Sequence, residues 1–134
     1  DLLAVQSGQL EVALNLAKAK VTVDPERLRV IVDNLFTNAV KFSPLNAVIS
    51  IELLAQKDHV TLSIQDQGPG IPTQEQDRIF EAFFQGSVQA NKQYSGAGLG
   101  LAIASDYAAS IGATLTLVES DTGACFKLVM PVSL

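Results

Sequence analysis

The chain has 134 residues, 48% of them apolar, with a formal net charge of −5 and a single cysteine. A chain of that length folds as one domain, residues 1–134, and buries roughly two-thirds of its unfolded surface, so the core needs no covalent staple. The acidic balance argues against a nucleic-acid or anionic-membrane surface, the lone cysteine excludes an internal disulfide and fits a reducing compartment, and no apolar run approaches the roughly 20 residues of a membrane span.

The chain opens on Asp1-Leu2-Leu3-Ala4-Val5 with no initiator Met and no signal-peptide pattern, so it reads as a piece of a longer protein. Residues 1–8 read as the end of a helix that Gly8 stops. Gln9 to Leu14 alternates like a strand, and Val21 to Val23 is a second short one. Asp24-Pro25-Glu26 is a helix start, with an acceptor at the N-cap, Pro at the first helical position and an acid next. The helix is predicted to run to Phe42, where Ser43-Pro44 ends it. Ala47 to Leu54 and Val60 to Asp66 alternate apolar and polar around the turn-like Gln56-Lys57-Asp58-His59, which predicts an antiparallel hairpin. Gly68-Pro69-Gly70-Ile71-Pro72 is irregular. A short helix spans Gln74 to Ala82, Gln85 to Ala97 is a mobile polar loop, and Leu99 to Ser110 is a helix stopped at Gly112. Thr114 to Glu119 and Ala124 to Val129 are strands around Asp121-Thr122-Gly123. The order predicts an α+β, two-layer sandwich: a mixed, mostly antiparallel sheet with helices on one face.

Three segments invite chemistry. Asn34, Asn38 and Lys41 form one polar stripe on a helix whose remaining residues are largely apolar: Leu28, Ile31, Val32, Leu35, Phe36, Ala39 and Val40. Polar groups against a core need partners, and amide oxygens with an ammonium suit a metal-nucleotide: the amides can ligate Mg²⁺ and the lysine can neutralise phosphate. Asp66-Gln67-Gly68-Pro69-Gly70 places an acceptor-only carboxylate at a strand end. It could take the exocyclic amino proton of adenine, with Gly68 and Gly70 admitting a flat base, or be a plain Asp-Gly turn. Gly96-Ala97-Gly98-Leu99-Gly100-Leu101 leads into a helix, which suits a polyphosphate; a hinge beside a packed helix is the alternative. Neither the dinucleotide fingerprint nor a P-loop is present. Phe80, Phe83 and Phe84 have core spacing and could anchor the mobile loop. His59 has no second histidine beside it and is assigned no catalytic role. Cys125 reads as a small core residue, and Lys92 as either a solvated loop charge or a phosphate contact.

In series, these segments resemble the motifs of sensor histidine kinases. Asn34-Leu35-Phe36-Thr37-Asn38-Ala39-Val40-Lys41-Phe42-Ser43 resembles the N box, Asp66-Gln67-Gly68-Pro69-Gly70-Ile71 the first glycine box, Arg78-Ile79-Phe80-Glu81-Ala82-Phe83 the F box, and Gly96-Ala97-Gly98-Leu99-Gly100-Leu101 the second glycine box. The resemblance runs from about Asp24 to the C-terminus and implies the Bergerat ATP-binding fold of gyrase, heat-shock chaperone, mismatch-repair and kinase ATPases. It implies ATP and Mg²⁺ as ligands, with Asn38 ligating the metal, Asn34 supporting it, Lys41 on phosphate and Phe42 near the ribose. Asp66 would recognise adenine beside Gly68, Gly70 and Ile71. The lid would span Gln85 to Ala97 and contribute Lys92, Tyr94, Gly96 and Ala97, and Gly98, Leu99, Gly100 and Leu101 would cradle phosphate. The lid looks most like those of hybrid-type kinases. Ser95 and Ala97 replace the commoner Gly and Thr, and Gln85 replaces an Arg, leaving Lys92 as the lid's only cation.

Hydrolytic relatives carry a Glu four residues before the metal-binding Asn. Here that position is Asn34, whose neutral amide cannot act as a general base. The resemblance therefore implies an ATP-holding kinase domain whose phosphoacceptor histidine lies on a separate dimerisation domain, with a response-regulator receiver domain downstream. No catalytic residue is expected beyond the ATP site. The fragment would be monomeric, its parent a homodimer and the domain cytoplasmic, with a membrane-anchored parent left open. A serine protein kinase of the same fold, as in anti-sigma-factor switches, and a catalytically silent scaffold are the alternatives.

Overall fold

A computed structural model describes residues 11–16, 23–44, 47–84, 99–118, 120 and 122–131. The elements are β1 (Glu11–Leu16), α1 (Pro25–Phe42), β2 (Val48–Ala55), β3 (His59–Gln65), a 3₁₀ segment (Thr73–Arg78), α2 (Gly100–Ser110), β4 (Thr114–Val118) and β5 (Cys125–Pro131). The sheet order is β1-β2-β3-β5-β4. Only β1 and β2 run parallel; the other three pairings are antiparallel.

Period-2 alternation sorts the sheet's faces. Ile51, Ile64, Phe126 and Leu117 stand in one row across β2, β3, β5 and β4, and Leu53, Leu62, Leu128 and Leu115 in the next. These rows join Ile31, Leu35, Phe36 and Ala39 of α1 and Ala104 and Ala108 of α2 in one core. The opposite face carries Glu52, Thr61, Ser63, Gln65, Thr116 and Lys127. Helices on one face of a mixed sheet are therefore the observed architecture, as predicted. The small Ala residues of α2 let it lie close beside α1.

Local signals account for the element ends. Asp24 accepts from the N–H groups of Glu26 (2.9 Å) and Arg27 (3.4 Å), and Ser43 closes α1 by donating to Ala39 O at 3.1 Å. Gly112 follows α2 with φ +74°, and its neighbour Ala113 donates back to Ala108 O at 2.9 Å, a left-handed helix stop. Among the described residues no helix is long and apolar enough to cross a membrane.

Several boundaries differ from the sequence expectation. The first strand, Glu11–Leu16, runs two residues past the predicted end at Leu14, which pairs with Ile51 of β2, while Gln9 and Leu10 lie outside the described residues. Val23 is a bend, and the rest of the expected Val21–Val23 strand, like residues 1–8, lies outside the described residues. The predicted Gln74–Ala82 helix is a 3₁₀ segment followed by turns. Glu75 N–H bonds Pro72 O at 2.9 Å, the Gln76 amide takes Ile71 O at 3.1 Å, and Phe83 adopts φ +66°, so no α-helical ladder propagates.

Candidate functional site

Asp66 follows Gln65, the last residue of β3. The alternation that turns Ile64 toward the helices and Gln65 away turns Asp66 back toward them. Its side chain is 2% exposed, and a carboxylate that deep requires donors. Oδ1 accepts from the backbone N–H groups of Gly68 and Ala124, each at 2.9 Å. Oδ2 takes no hydrogen bond from the described residues, and Asp66 lines a cavity with Asn38, Phe42, Gly70, Ile71 and Leu101. The geometry leaves one acceptor oxygen for a ligand's donor.

Burial pushes the Asp66 carboxyl above its ordinary value, and the two N–H groups offset part of that rise. The folded chain thus holds this proton more tightly than the unfolded chain. The group's favourable contribution is complete below the unfolded value and is lost as pH rises through the raised folded one. We expect urea unfolding to show wild type losing stability relative to Asp66→Asn as pH rises through that window, while binding of a ligand that needs the carboxylate strengthens. A wild-type-minus-variant difference that stays flat from acid to neutral pH would remove the buried-carboxylate assignment.

Glycines bring the walls together. A Cβ on Gly68 would stand 2.5 Å from Phe42 O, so only glycine lets this loop lie on the last turn of α1. Gly70 (φ +78°) and Gly123 (φ +70°) meet on the other side, a Cβ on Gly70 standing 3.2 Å from Gly123 O. A Cβ on Gly123 would overlap the Asp66 carbonyl and stand 2.5 Å from Oδ1.

The polar stripe of α1 forms the opposite end. Asn34 Nδ2 donates to Val30 O at 2.8 Å, which ties the amide nitrogen to the helix and leaves Oδ1 as an acceptor. That oxygen would be 3.2 Å from a Cβ on Gly100, so the absence of a side chain lets α2 begin against Asn34. Leu99, at the N-cap of α2, supplies no side-chain cap, and no acid occupies the first turn; the N–H groups of that turn, which lack intrahelical acceptors, suit an anion. Asn38, one turn beyond Asn34, lines the cavity. Lys41 Nζ lies 5.2 Å from the Phe42 ring centroid, and burial lowers the Lys41 pKa from its ordinary value. Among the described residues no three His, Cys, Asp or Glu side chains converge on a metal. The amide oxygens of Asn34 and Asn38 are hard donors of the kind that could hold a Mg²⁺ ion together with ligand phosphates.

The structure thus draws Asn34, Asn38, Lys41, Phe42, Asp66, Gly68, Gly70, Ile71, Leu99, Gly100 and Leu101 around one region. Lys92, Tyr94, Gly96, Ala97 and Gly98, with the rest of the expected lid, lie outside the described residues. Phe80 packs edge-on to Phe126 with centroids 6.1 Å apart. Phe84 lines the cavity, with the Arg78 guanidinium 4.5 Å from its ring centroid. Phe83 departs from the expected core role: it is 72% exposed. Sequence reasoning missed Gly123 and Ala124, whose only signal is a turn between two strands. It also missed Ile79 and Phe84 as cavity walls.

Comparison with known proteins gives a consistent picture. Residues 23–134 match the family described as histidine kinase-, DNA gyrase B- and HSP90-like ATPases. The sensor-like histidine kinase SenX3 of Mycobacterium tuberculosis is 33% identical over 132 residues, covering 90% of this chain and 32% of that protein. The adaptive-response sensory kinase SasA of Prochlorococcus marinus is 39% identical over 115 residues, covering 84% and 31%. The chain spans about a third of the length of these relatives. Among solved structures, the mycobacterial sensor histidine kinase MprB superposes with a TM-score of 0.88 at 30% identity, covering 97% of this chain and 88% of that one. Full-length ShkA in complex with AMPPNP gives 0.79 at 29% identity, covering 99% and 28%.

Proposed function

Because the chain belongs to the family of histidine kinase-, DNA gyrase B- and HSP90-like ATPases, we propose that it is the ATP-binding catalytic domain of a two-component sensor histidine kinase. The observation that carries the reading is the buried Asp66 carboxylate, pinned at Oδ1 by Gly68 and Ala124, in one cavity with Asn38 of the polar helix stripe. Asp66 Oδ2 accepts the adenine amino proton; a guanine carbonyl in that place would face a second acceptor and be repelled. Phe42, Ile71 and Leu101 enclose the nucleoside. The free N–H groups at the start of α2 and Lys41 receive the phosphates.

Mg²⁺ held by Asn38, with Asn34 in support, would neutralise phosphate charge during transfer. Phosphoryl transfer relies mainly on positioning and charge neutralisation, so this domain orients the γ-phosphate while the histidine of a separate dimerisation domain attacks it. A response-regulator receiver domain takes the group onward. Asn34 supports transfer over hydrolysis: its nitrogen is tied to Val30 O, and an amide offers no base to activate water. The named relatives, sensor kinases throughout, favour this over a serine kinase or a silent scaffold.

Titration calorimetry with ATP, followed by phosphorylation of an added histidine-bearing dimerisation domain, tests the reading. We expect Mg²⁺-dependent binding, acid-labile phosphate on the partner domain, and none on this domain alone. Asn38→Ala should lose about tenfold or more of the Mg²⁺-dependent affinity, the scale of one lost charge-assisted contact. Acid-stable phosphate on a partner would point to the serine kinase, and absence of nucleotide binding in the folded wild type would end the proposal.

A further inference from the structure

The donor that holds Asp66 from the far strand is itself held by a small network on the sheet's other face. Gln65 pairs with Cys125 across β3 and β5, and its side chain points away from the helices. Its Nε2 donates to Asp66 O at 2.8 Å and to Thr122 O. Its Oε1 lies 3.0 Å from Ser120 Oγ, whose single proton is shared between that oxygen and Thr122 O at 2.9 Å. Gln65 therefore uses both ends of one amide to clasp the 120–124 turn to the end of β3. Two bonds flank the clasp: Asp66 N–H to Ala124 O and Ala124 N–H to Asp66 Oδ1, each 2.9 Å. None of Gln65, Ser120 and Thr122 lines the base cavity.

We infer that Gln65, supported by Ser120, is a positioning residue for base selection, acting through the Ala124 N–H to aim the Asp66 carboxylate at the exocyclic amine of a 6-aminopurine. The inference rests on the nucleotide reading above. Its physical basis is that Asp66 has two donors fixing Oδ1, and only one of them, Gly68, belongs to its own loop. The other arrives on a turn 58 residues away in sequence. The described side chains on that turn, Ser120 and Thr122, are exposed. With the Gln65 clasp cut, the turn can lift, Ala124 N–H withdraws, and the carboxylate gains a rotational freedom that blurs its aim at the amine. Contacts to phosphate and ribose, on the α1 and α2 side, are not linked to the clasp.

The experiment compares binding of Mg·ATP with that of purine riboside triphosphate, which carries hydrogen in place of the 6-amino group. Gln65→Leu, of similar bulk without the amide, should weaken ATP about fivefold to tenfold, the scale of one to two hydrogen bonds, and purine riboside triphosphate less than about twofold. The Ala124 amide proton should move upfield in the same variant as its carboxylate bond lengthens. Ser120→Ala, an exposed site where the fold is safe, should repeat the pattern at about twofold to threefold. Equal losses for both nucleotides would assign Gln65 a merely structural role, and unchanged ATP affinity with an unmoved Ala124 resonance would likewise overturn the inference. If wild type itself showed no preference for the 6-amino nucleotide, the adenine reading of Asp66 would fail first, which separates that failure from one at Gln65.

Discussion

Replacing Asp66 by Asn is expected to reduce ATP affinity by about a hundredfold or more while leaving the domain folded. The fold survives because the asparagine oxygen can still accept from Gly68 and Ala124 N–H, which both converge on Oδ1. That choice leaves the variant's NH₂ group where Oδ2 stands in the wild type. A donor then faces the donor of the adenine amine. The loss combines a charge-assisted hydrogen bond, about 1.5–3 kcal/mol, with the cost of leaving two buried donors unmatched, about 1–3 kcal/mol. Since each 1.4 kcal/mol is a factor of ten, the sum reaches the hundredfold range. Removing the buried charge also removes the desolvation that raises the Asp66 pKa, so the unliganded variant should melt no lower than wild type near neutral pH. Calorimetry and thermal unfolding on the same sample decide it: unchanged affinity would refute the assigned acceptor, and a collapsed melt would mean that the Asn oxygen does not substitute at Oδ1.

Gly123→Ala is expected to be the most damaging single methyl added to the described residues. Gly123 has φ +70°, where an L side chain costs about 1–2 kcal/mol. The added Cβ would also overlap the backbone of Asp66, standing 2.5 Å from its Oδ1. The obstacle is backbone and a pinned carboxylate, not the free end of a flexible side chain, so relief requires the turn to lift off β3. The combined cost is expected to be about 3–4 kcal/mol, a large fraction of the 5–15 kcal/mol typical of a folded domain, and to lower Tm by about 10 °C or more. Gly112→Ala is the matched control, because Gly112 has φ +74° but nothing within 4 Å of the added Cβ. It should pay the conformational cost alone, about 1–2 kcal/mol and a few degrees. Equal melting temperatures for the two variants would show that the Gly123–Asp66 approach is not tight in solution.

Much of this molecule is legible along the chain. Asp24-Pro25 and Ser43-Pro44 bound α1 because capping and proline sterics act within a few residues. The alternation of β2, β3 and β5 records which face meets the helices. The order of the N box and the glycine boxes carries the family resemblance, which residues 23–134 bear out. The 3₁₀ segment after Pro72 is harder to read, since Gln76 uses a side-chain bond to Ile71 O in place of a helical ladder. Phe83 has core spacing yet points to solvent for the same reason: spacing implies a face only where the helix exists.

The sequence by itself singled out Asp66 as an acceptor-only carboxylate at a strand end, and the polar stripe on α1, because each depends on residue chemistry and a short repeat. Only the tertiary structure decided what holds that acceptor still. The sheet order places β5 between β3 and β4, and the β3–β5 register brings Ala124, 58 residues further along the chain, and its neighbour Gly123 to the Asp66 carboxylate, where the Gln65 clasp meets their turn. Hydrogen-bond partners of that separation leave no periodic trace in the chain, because strand order and register are chosen by the burial of whole rows of side chains rather than by any local pattern.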